Sequence, residues 1–140
     1  MLKITVIGLG LMGGSLVKAL KKSKKNYRIW AIDTNKKNIK SALKDKYIEK
    51  GFYNYSNIKE AFEFADIIMI CSIPSIALNI IKKYKNLIDD KKILSDFCGV
   101  KKIFSKRLQI KNISDYILWR EKKKADTIIQ RKVYLKIQTL

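Results

Sequence analysis

Three glycines in Gly8-Leu9-Gly10-Leu11-Met12-Gly13 carry the sharpest chemical signal in the sequence. The G-x-G-x-x-G spacing matters when it follows a strand and opens a helix. Gly8 then permits the tight turn, Gly10 lets the backbone approach a diphosphate, and Gly13 lets the helix pack closely on the strand. Free N–H groups and the positive dipole end of that helix would hold the phosphates. Asp33 stands twenty residues after Gly13, where a carboxylate hydrogen-bonds the ribose hydroxyls of a dinucleotide. Its charge favours NAD over NADP by repelling a 2′-phosphate, while Lys36 and Lys37 close by keep NADP as the alternative cofactor. The plain alternatives are a glycine-rich turn with no ligand and a turn or cap aspartate ahead of Asn35. Two more segments, Cys71-Ser72-Ile73-Pro74-Ser75 and Asp96-Phe97-Cys98-Gly99, end apolar runs. Ligands of open α/β sheets sit beyond the carboxyl ends of the strands, so Ser72, Ile73 and Pro74 are expected to face the nicotinamide half. Ordinary loop chemistry is the plain reading for both segments.

The elements that must position these residues follow from periodicity. Residues 3–7 form a continuous apolar run, as buried parallel strands do. Residues 11–22 follow with helical period, Leu11, Met12, Leu16, Ala19 and Leu20 forming the apolar stripe. Further strands are expected at 27–32, 67–71 and 92–95, and helices at 36–43, 58–64 and 74–84, Pro74 suiting a first helical turn. Residues 47–52 hold a turn at Gly51 leading into a short third strand. This alternation predicts an α/β fold, a Rossmann-type parallel sheet flanked by helices. Beyond Phe104 the order fails. Residues 106–140 have no Gly, no Pro and no clear period, which predicts an irregular or disordered C-terminal tail that is mobile and protease-sensitive. The expected division is a dinucleotide-binding domain at 1–105 and a tail at 106–140.

The bulk properties narrow the function classes. A chain of 140 residues, 47% hydrophobic, suffices for one domain with a core. Its first residues lack the cleavage pattern of a signal peptide, and no apolar run approaches the roughly 18 residues of a membrane span. A cytoplasmic location without membrane contact is the expectation. Cys71 and Cys98 match no metal or redox spacing, and there is no histidine, so no metal site is expected. The formal charge of +19 raises a nucleic-acid-binding module as a reading of another class. The lysines are spread out, lack interleaved aromatics, and accompany many isoleucines and asparagines, a pattern of A/T-rich codons, so no nucleic-acid partner is expected. The density does change: residues 1–100 carry 19 basic and 9 acidic side chains, residues 101–140 carry 12 and 3.

Together these residues resemble the prephenate dehydrogenases through about residue 103. Ile4-Thr5-Val6-Ile7-Gly8-Leu9-Gly10-Leu11-Met12-Gly13-Gly14-Ser15-Leu16 is similar to that family's N-terminus almost residue for residue. Ala65-Asp66-Ile67-Ile68-Met69-Ile70-Cys71-Ser72-Ile73-Pro74 resembles its fourth-strand segment. Ser95-Asp96-Phe97-Cys98-Gly99-Val100-Lys101-Lys102-Ile103 resembles its fifth strand and loop, where Gly99 replaces a serine that in many members assists the catalytic histidine. The resemblance implies NAD(P)-dependent oxidative decarboxylation of prephenate to 4-hydroxyphenylpyruvate in tyrosine synthesis, with arogenate or another small acid as the alternative substrate. It also implies a catalytic histidine in a Gly-x-His-Pro-Met-Ala-Gly segment, and a following helical domain that binds substrate and forms the homodimer. With no histidine anywhere, no catalytic residue is assigned in this chain, and the cofactor half is expected here without the catalytic half.

The genetic code offers a reason. New codons can be read from the third base of one codon and two bases of the next. The Tyr116–Ile117 junction then encodes only His or Tyr, and Ile117–Leu118 can supply Pro. Leu118–Trp119 allows Met, Leu or Val, Trp119–Arg120 allows Ala or Glu, and Arg120–Glu121 allows Gly, Arg or a stop. His-Pro-Met-Ala-Gly is available in that frame, and the junctions after Glu121 can continue as the resembled family does. The reading is a frame slip between about Lys101 and Asn112, with an accidental translation beyond it.

Overall fold

The computed structural model describes residues 1–23, 25–88 and 92–96, together with the backbone of Tyr116–Leu118. Its elements are β1 (Leu2–Ile7), α1 (Leu11–Lys22), β2 (Tyr27–Asp33), α2 (Lys36–Lys44), β3 (Lys50–Tyr53), α3 (Ile58–Phe64), β4 (Ile67–Ile70), α4 (Pro74–Tyr84), β5 (Ile93–Asp96) and β6 (Tyr116–Leu118). The strands lie in the order β3-β2-β1-β4-β5-β6, every pair parallel. This is the Rossmann-type sheet that the alternation predicts. Ile4 pairs with Ile29 on one side and Ile67 on the other, so the strand order reverses at β1, between β2 and β4.

Side chains alternate across the sheet, and both faces are covered. Ile4 and Val6 of β1, with Ile29 and Ala31 of β2, pack against Val17 of α1 and Ile39 and Ala42 of α2. Ile7, Ile32, Ile68 and Ile70 pack on the opposite face against Ile58 and Phe62 of α3 and Leu78 and Ile81 of α4. A strand buried on both faces needs apolar residues at every position, which is why these segments read as unbroken runs. Each fully buried isoleucine or phenylalanine contributes roughly 1.5–3 kcal/mol relative to its exposed state. Thr5 interrupts the run without cost, since its hydroxyl donates to the Ala61 carbonyl at 2.8 Å and ties β1 to α3.

Two expectations need correction. The apolar stripe of α1 is not led by Leu11 and Met12, which are 87% and 54% exposed; Gly13 and Val17 are its buried residues. The buried face runs through Gly13, Val17 and Leu20 at i, i+4 and i+7, and a rotation of about 100° per residue puts Leu11 on the opposite side and Met12 on the flank. Gly51 also lies within β3 rather than at a turn ahead of it. A side chain there would meet Ile39 Cγ2 at 2.6 Å, so the glycine serves the close packing of α2. The remaining boundaries agree to within a residue. β6 is a strand in the segment to which periodicity assigns none; its three residues pair with Leu94, Ser95 and Asp96, and Tyr-Ile-Leu is a composition that suits a sheet edge. The rest of 97–140, including the loop at Phe97-Cys98-Gly99, the predicted tail and Trp119, lies outside the described residues. Among the described residues, no helix is long and apolar enough to cross a membrane.

Candidate functional site

The site forms where β1 ends, at the reversal of strand order. Gly8 N–H donates to the Ile32 carbonyl at 2.8 Å, and Cys71 N–H donates to the Ile7 carbonyl at 2.7 Å. The glycine loop is thereby stitched to β2 on one side and β4 on the other. Gly8 holds φ at +94°, a region side chains avoid, and an added Cβ would lie 2.5 Å from the Cys71 carbonyl oxygen. At Gly13 a Cβ would fall on the Gly8 carbonyl oxygen, so α1 can approach the loop only through glycine. These two glycines serve the protein's own packing. Gly10 differs: a Cβ there would meet nothing within 4 Å. The space before the N-terminus of α1 is open, and only the absence of a side chain keeps it so.

That open end is fitted to an anion. No side chain caps α1, its first turn holds no acidic residue, and Lys21 and Lys22 stand at its far end. The N–H groups of the first turn have no partners within the helix, and the positive end of the dipole faces outward. A diphosphate would meet the backbone donors of the first turn, which itself carries no carboxylate.

Asp33 closes one side. It is the last residue of β2 and 8% exposed. Its Oδ2 accepts from Leu9 N–H at 2.5 Å and from Asn38 Nδ2 at 3.4 Å, and its Oδ1 accepts from Asn35 N–H at 2.6 Å. The turn role that periodicity offered as the plain alternative is therefore real, since Asp33 shapes the bend into α2. It also fixes the glycine loop itself through Leu9. A carboxylate has about four lone-pair positions, two on each oxygen, so Oδ1 keeps capacity for a further donor. Asn35 caps α2 through its side chain, accepting from Lys37 N–H at 2.9 Å.

The loop after β3 lies alongside. Asn54 N–H donates to the Asp33 carbonyl at 3.0 Å. Burial pushes the Tyr55 phenol above its ordinary value, and the neighbouring Asp33 carboxylate adds to the rise. Lys36, the first residue of α2, holds its ammonium 4.6 Å from the centre of the Tyr53 ring. Tyr53 and Tyr55 carry no sequence signature, because they meet Asp33 or its turn only through the pairing of β2 with β3, whereas Asn38 reaches Asp33 locally from α2.

Ser72 and Ile73 form the β4–α4 loop, and Pro74 opens α4. The structure brings this loop against the glycine turn, since the backbone at Cys71 and Ser72 lies within 4 Å of a Cβ built on Gly8. Ile73 is 62% exposed. Among the described residues, no group of three His, Cys, Asp or Glu could hold a metal ion. Gly8, Gly10, Gly13, Asp33 and the 72–74 loop thus share one end of the sheet, and Leu9, Leu11 and Met12 complete the turn between them.

Comparison with known proteins agrees with this architecture. The chain resembles prephenate dehydrogenase from Aquifex aeolicus, with a TM-score of 0.71 and 23% identity over 82% of this chain and 41% of that one. The same enzyme in complex with hydroxyphenyl propionate and NAD+ superposes with a TM-score of 0.69 and 21% identity, over 87% and 44%. Synechocystis arogenate dehydrogenase gives 0.64 and 21%, over 76% and 36%. At these identities the likeness is one of fold, and the chain spans less than half of each of these proteins. No curated protein matches the sequence itself. The family model for the NAD binding domain of 6-phosphogluconate dehydrogenase matches residues 3–109, which takes in the whole glycine turn, Asp33 and the 72–74 loop. The chain belongs to this family of NAD-binding domains.

Proposed function

We propose that residues 1–105 bind NAD with the diphosphate against Gly8, Leu9, Gly10, Leu11, Met12 and Gly13, the adenosine ribose on Asp33, and the nicotinamide half beside Ser72, Ile73 and Pro74. The observation that carries this reading is the uncapped helix end, kept open by Gly10 and held to Asp33 through the Leu9 N–H. NAD is the preferred cofactor over NADP, because Asp33 places negative charge where a 2′-phosphate would sit. When bound, the nicotinamide supplies a hydride acceptor. The protein's part is to orient it by fixing the diphosphate and ribose on a rigid sheet end.

The wider reading is that this domain is the cofactor half of a cytoplasmic prephenate dehydrogenase, which oxidises and decarboxylates prephenate. Support comes from the sequence segments at 4–16 and 65–74 and from the shared fold. Substrate binding and dimer contacts would belong to a helical domain, and residues 106–140 to an out-of-frame translation of the stretch that should encode His-Pro-Met-Ala-Gly. The chain lacks the histidine that the resemblance assigns to the substrate's hydroxyl proton, so on this reading it binds cofactor without turnover.

The test has three parts. Titration calorimetry of the 140-residue chain with NAD+ and NADP+ is expected to show tighter binding of NAD+. Prephenate or arogenate added with NAD+ is expected to yield no NADH, and a frame-restored gene product is expected to yield it with one of the two. The nucleotide sequence around codons 100–116, read in all frames, decides the origin of the tail. Turnover by the 140-residue chain would overturn the assignment of catalysis to an absent histidine.

A further inference from the structure

Cofactor discrimination at Asp33 has a second part. Lys36 opens α2, three residues after Asp33, and the first turn of α2 contains no acidic residue. A lysine at this end of a helix is repelled by the macrodipole. It also follows Asp33 closely enough in the chain that, if its ammonium reached the 2′ position of a ribose bound to Asp33, it would attract NADP and work against the carboxylate. The structure gives that ammonium another place. Tyr53 is the residue of β3 that pairs with Asp33, so register puts its ring beside the β2–α2 turn. The Lys36 Nζ lies over that ring, 4.6 Å from its centre, within the range of a cation–π contact. The ring is held by β3 and 43% exposed, which leaves its face accessible.

We infer that Tyr53 is a positioning residue for cofactor choice: it draws Lys36 off the 2′ position and so sharpens the preference for NAD set by Asp33. This rests on the reading of Asp33 as the ribose-binding residue. An exposed cation–π contact shifts such an equilibrium by about two- to fivefold, which sets the size of the effect. Lys37 stays in place throughout, so its attraction cancels in any comparison.

The experiment is a set of NAD+ and NADP+ titrations on the full chain, read as the ratio of the two dissociation constants. Tyr53→Leu is expected to tighten NADP+ by about two- to fivefold while leaving NAD+ nearly unchanged. Tyr53→Thr, which suits an edge strand, is expected to do the same and serves if the leucine variant is unstable. Tyr53→Phe keeps the ring and should keep the parent ratio. Lys36→Met alone should leave the ratio nearly as it is, since the ammonium is already withheld. Combined with Tyr53→Leu it should abolish the gain in NADP+ affinity. An unchanged ratio in both ring-less variants overturns the inference, as does a gain that survives in the double variant or appears in Tyr53→Phe. If the parent chain binds neither dinucleotide, the assignment of the site itself fails. If NAD+ binds and the ratio does not respond to Tyr53, only this inference fails.

Discussion

Gly13→Ala and Gly10→Ala add the same methyl group three residues apart and should both weaken NAD+ binding, but only the first should lower stability. At Gly13 the new Cβ would overlap the Gly8 carbonyl oxygen and lie 2.9 Å from the Gly8 carbonyl carbon. Ordinary contact needs about 3.5–4.0 Å, so one of the two must move by roughly 1.5 Å or more. The carbonyl cannot swing away, because Gly8 is fixed through its N–H to Ile32 and sits at a φ of +94°. Helix α1 must therefore lift from the loop, which disturbs the packing of Val17 on β1. Overpacking of this kind costs about 1–3 kcal/mol, and the helix preference of alanine over glycine returns up to about 1 kcal/mol. The expected net loss is about 2 kcal/mol, roughly 10 °C in Tm for a domain of this size, together with loss of NAD+ binding. At Gly10 the methyl enters open space, and the backbone is extended at a negative φ of −66°. Stability should stay within about 0.5 kcal/mol of the parent. NAD+ affinity should nonetheless fall by about tenfold or more, because the methyl takes the volume through which the diphosphate reaches the helix end. Urea unfolding followed by circular dichroism gives the first quantity and calorimetric titration the second. A Gly13→Ala chain as stable as the parent would refute the packing argument. A Gly10→Ala chain that binds NAD+ with parental affinity would refute the placement of the diphosphate.

Asp33→Ala removes the acceptor of the Leu9 and Asn35 N–H groups as well as the proposed ribose contact, so it should cost about 1–3 kcal/mol of stability while narrowing the gap between NAD+ and NADP+; chemical unfolding and titration measure the two separately. Thr5→Val keeps the shape but deprives the buried Ala61 carbonyl of its donor, and should cost about 1–2 kcal/mol in urea unfolding. Tyr55 gives a pH signature. The folded state raises its phenol above 10.0, so it holds the proton more tightly than the unfolded chain does. The resulting stability is intact below the unfolded value and is lost as the pH rises through the raised folded value. Tyr55→Phe should flatten the alkaline fall in stability relative to the parent, and identical slopes would exclude the effect.

Through residue 96 the local sequence determined which segments are strands and helices, because a parallel sheet buried on both faces leaves unbroken apolar runs and helices facing it leave a 3.6-residue period. It also determined the glycine turn and the place of Asp33, since a tight turn and a close helix approach each admit one residue type. Side-chain roles that depend on a distant partner were decided by tertiary structure. The hydroxyl of Thr5 is satisfied by Ala61, 56 residues away, and no local pattern reports that. Leu11 and Met12 are apolar and nonetheless exposed, because the buried face of α1 runs through Gly13 and Val17, and only the packing of the helix shows which face that is. Gly51 reads as a turn until α2 is seen to pack against it. Asp33 carries both a cofactor signal and a turn signal, and only its bond to Leu9 N–H shows that shaping the turn and fixing the glycine loop are done by one carboxylate. Tyr53 was invisible for the same reason: register between β2 and β3, set by the crossover through α2, is what brings its ring to Lys36.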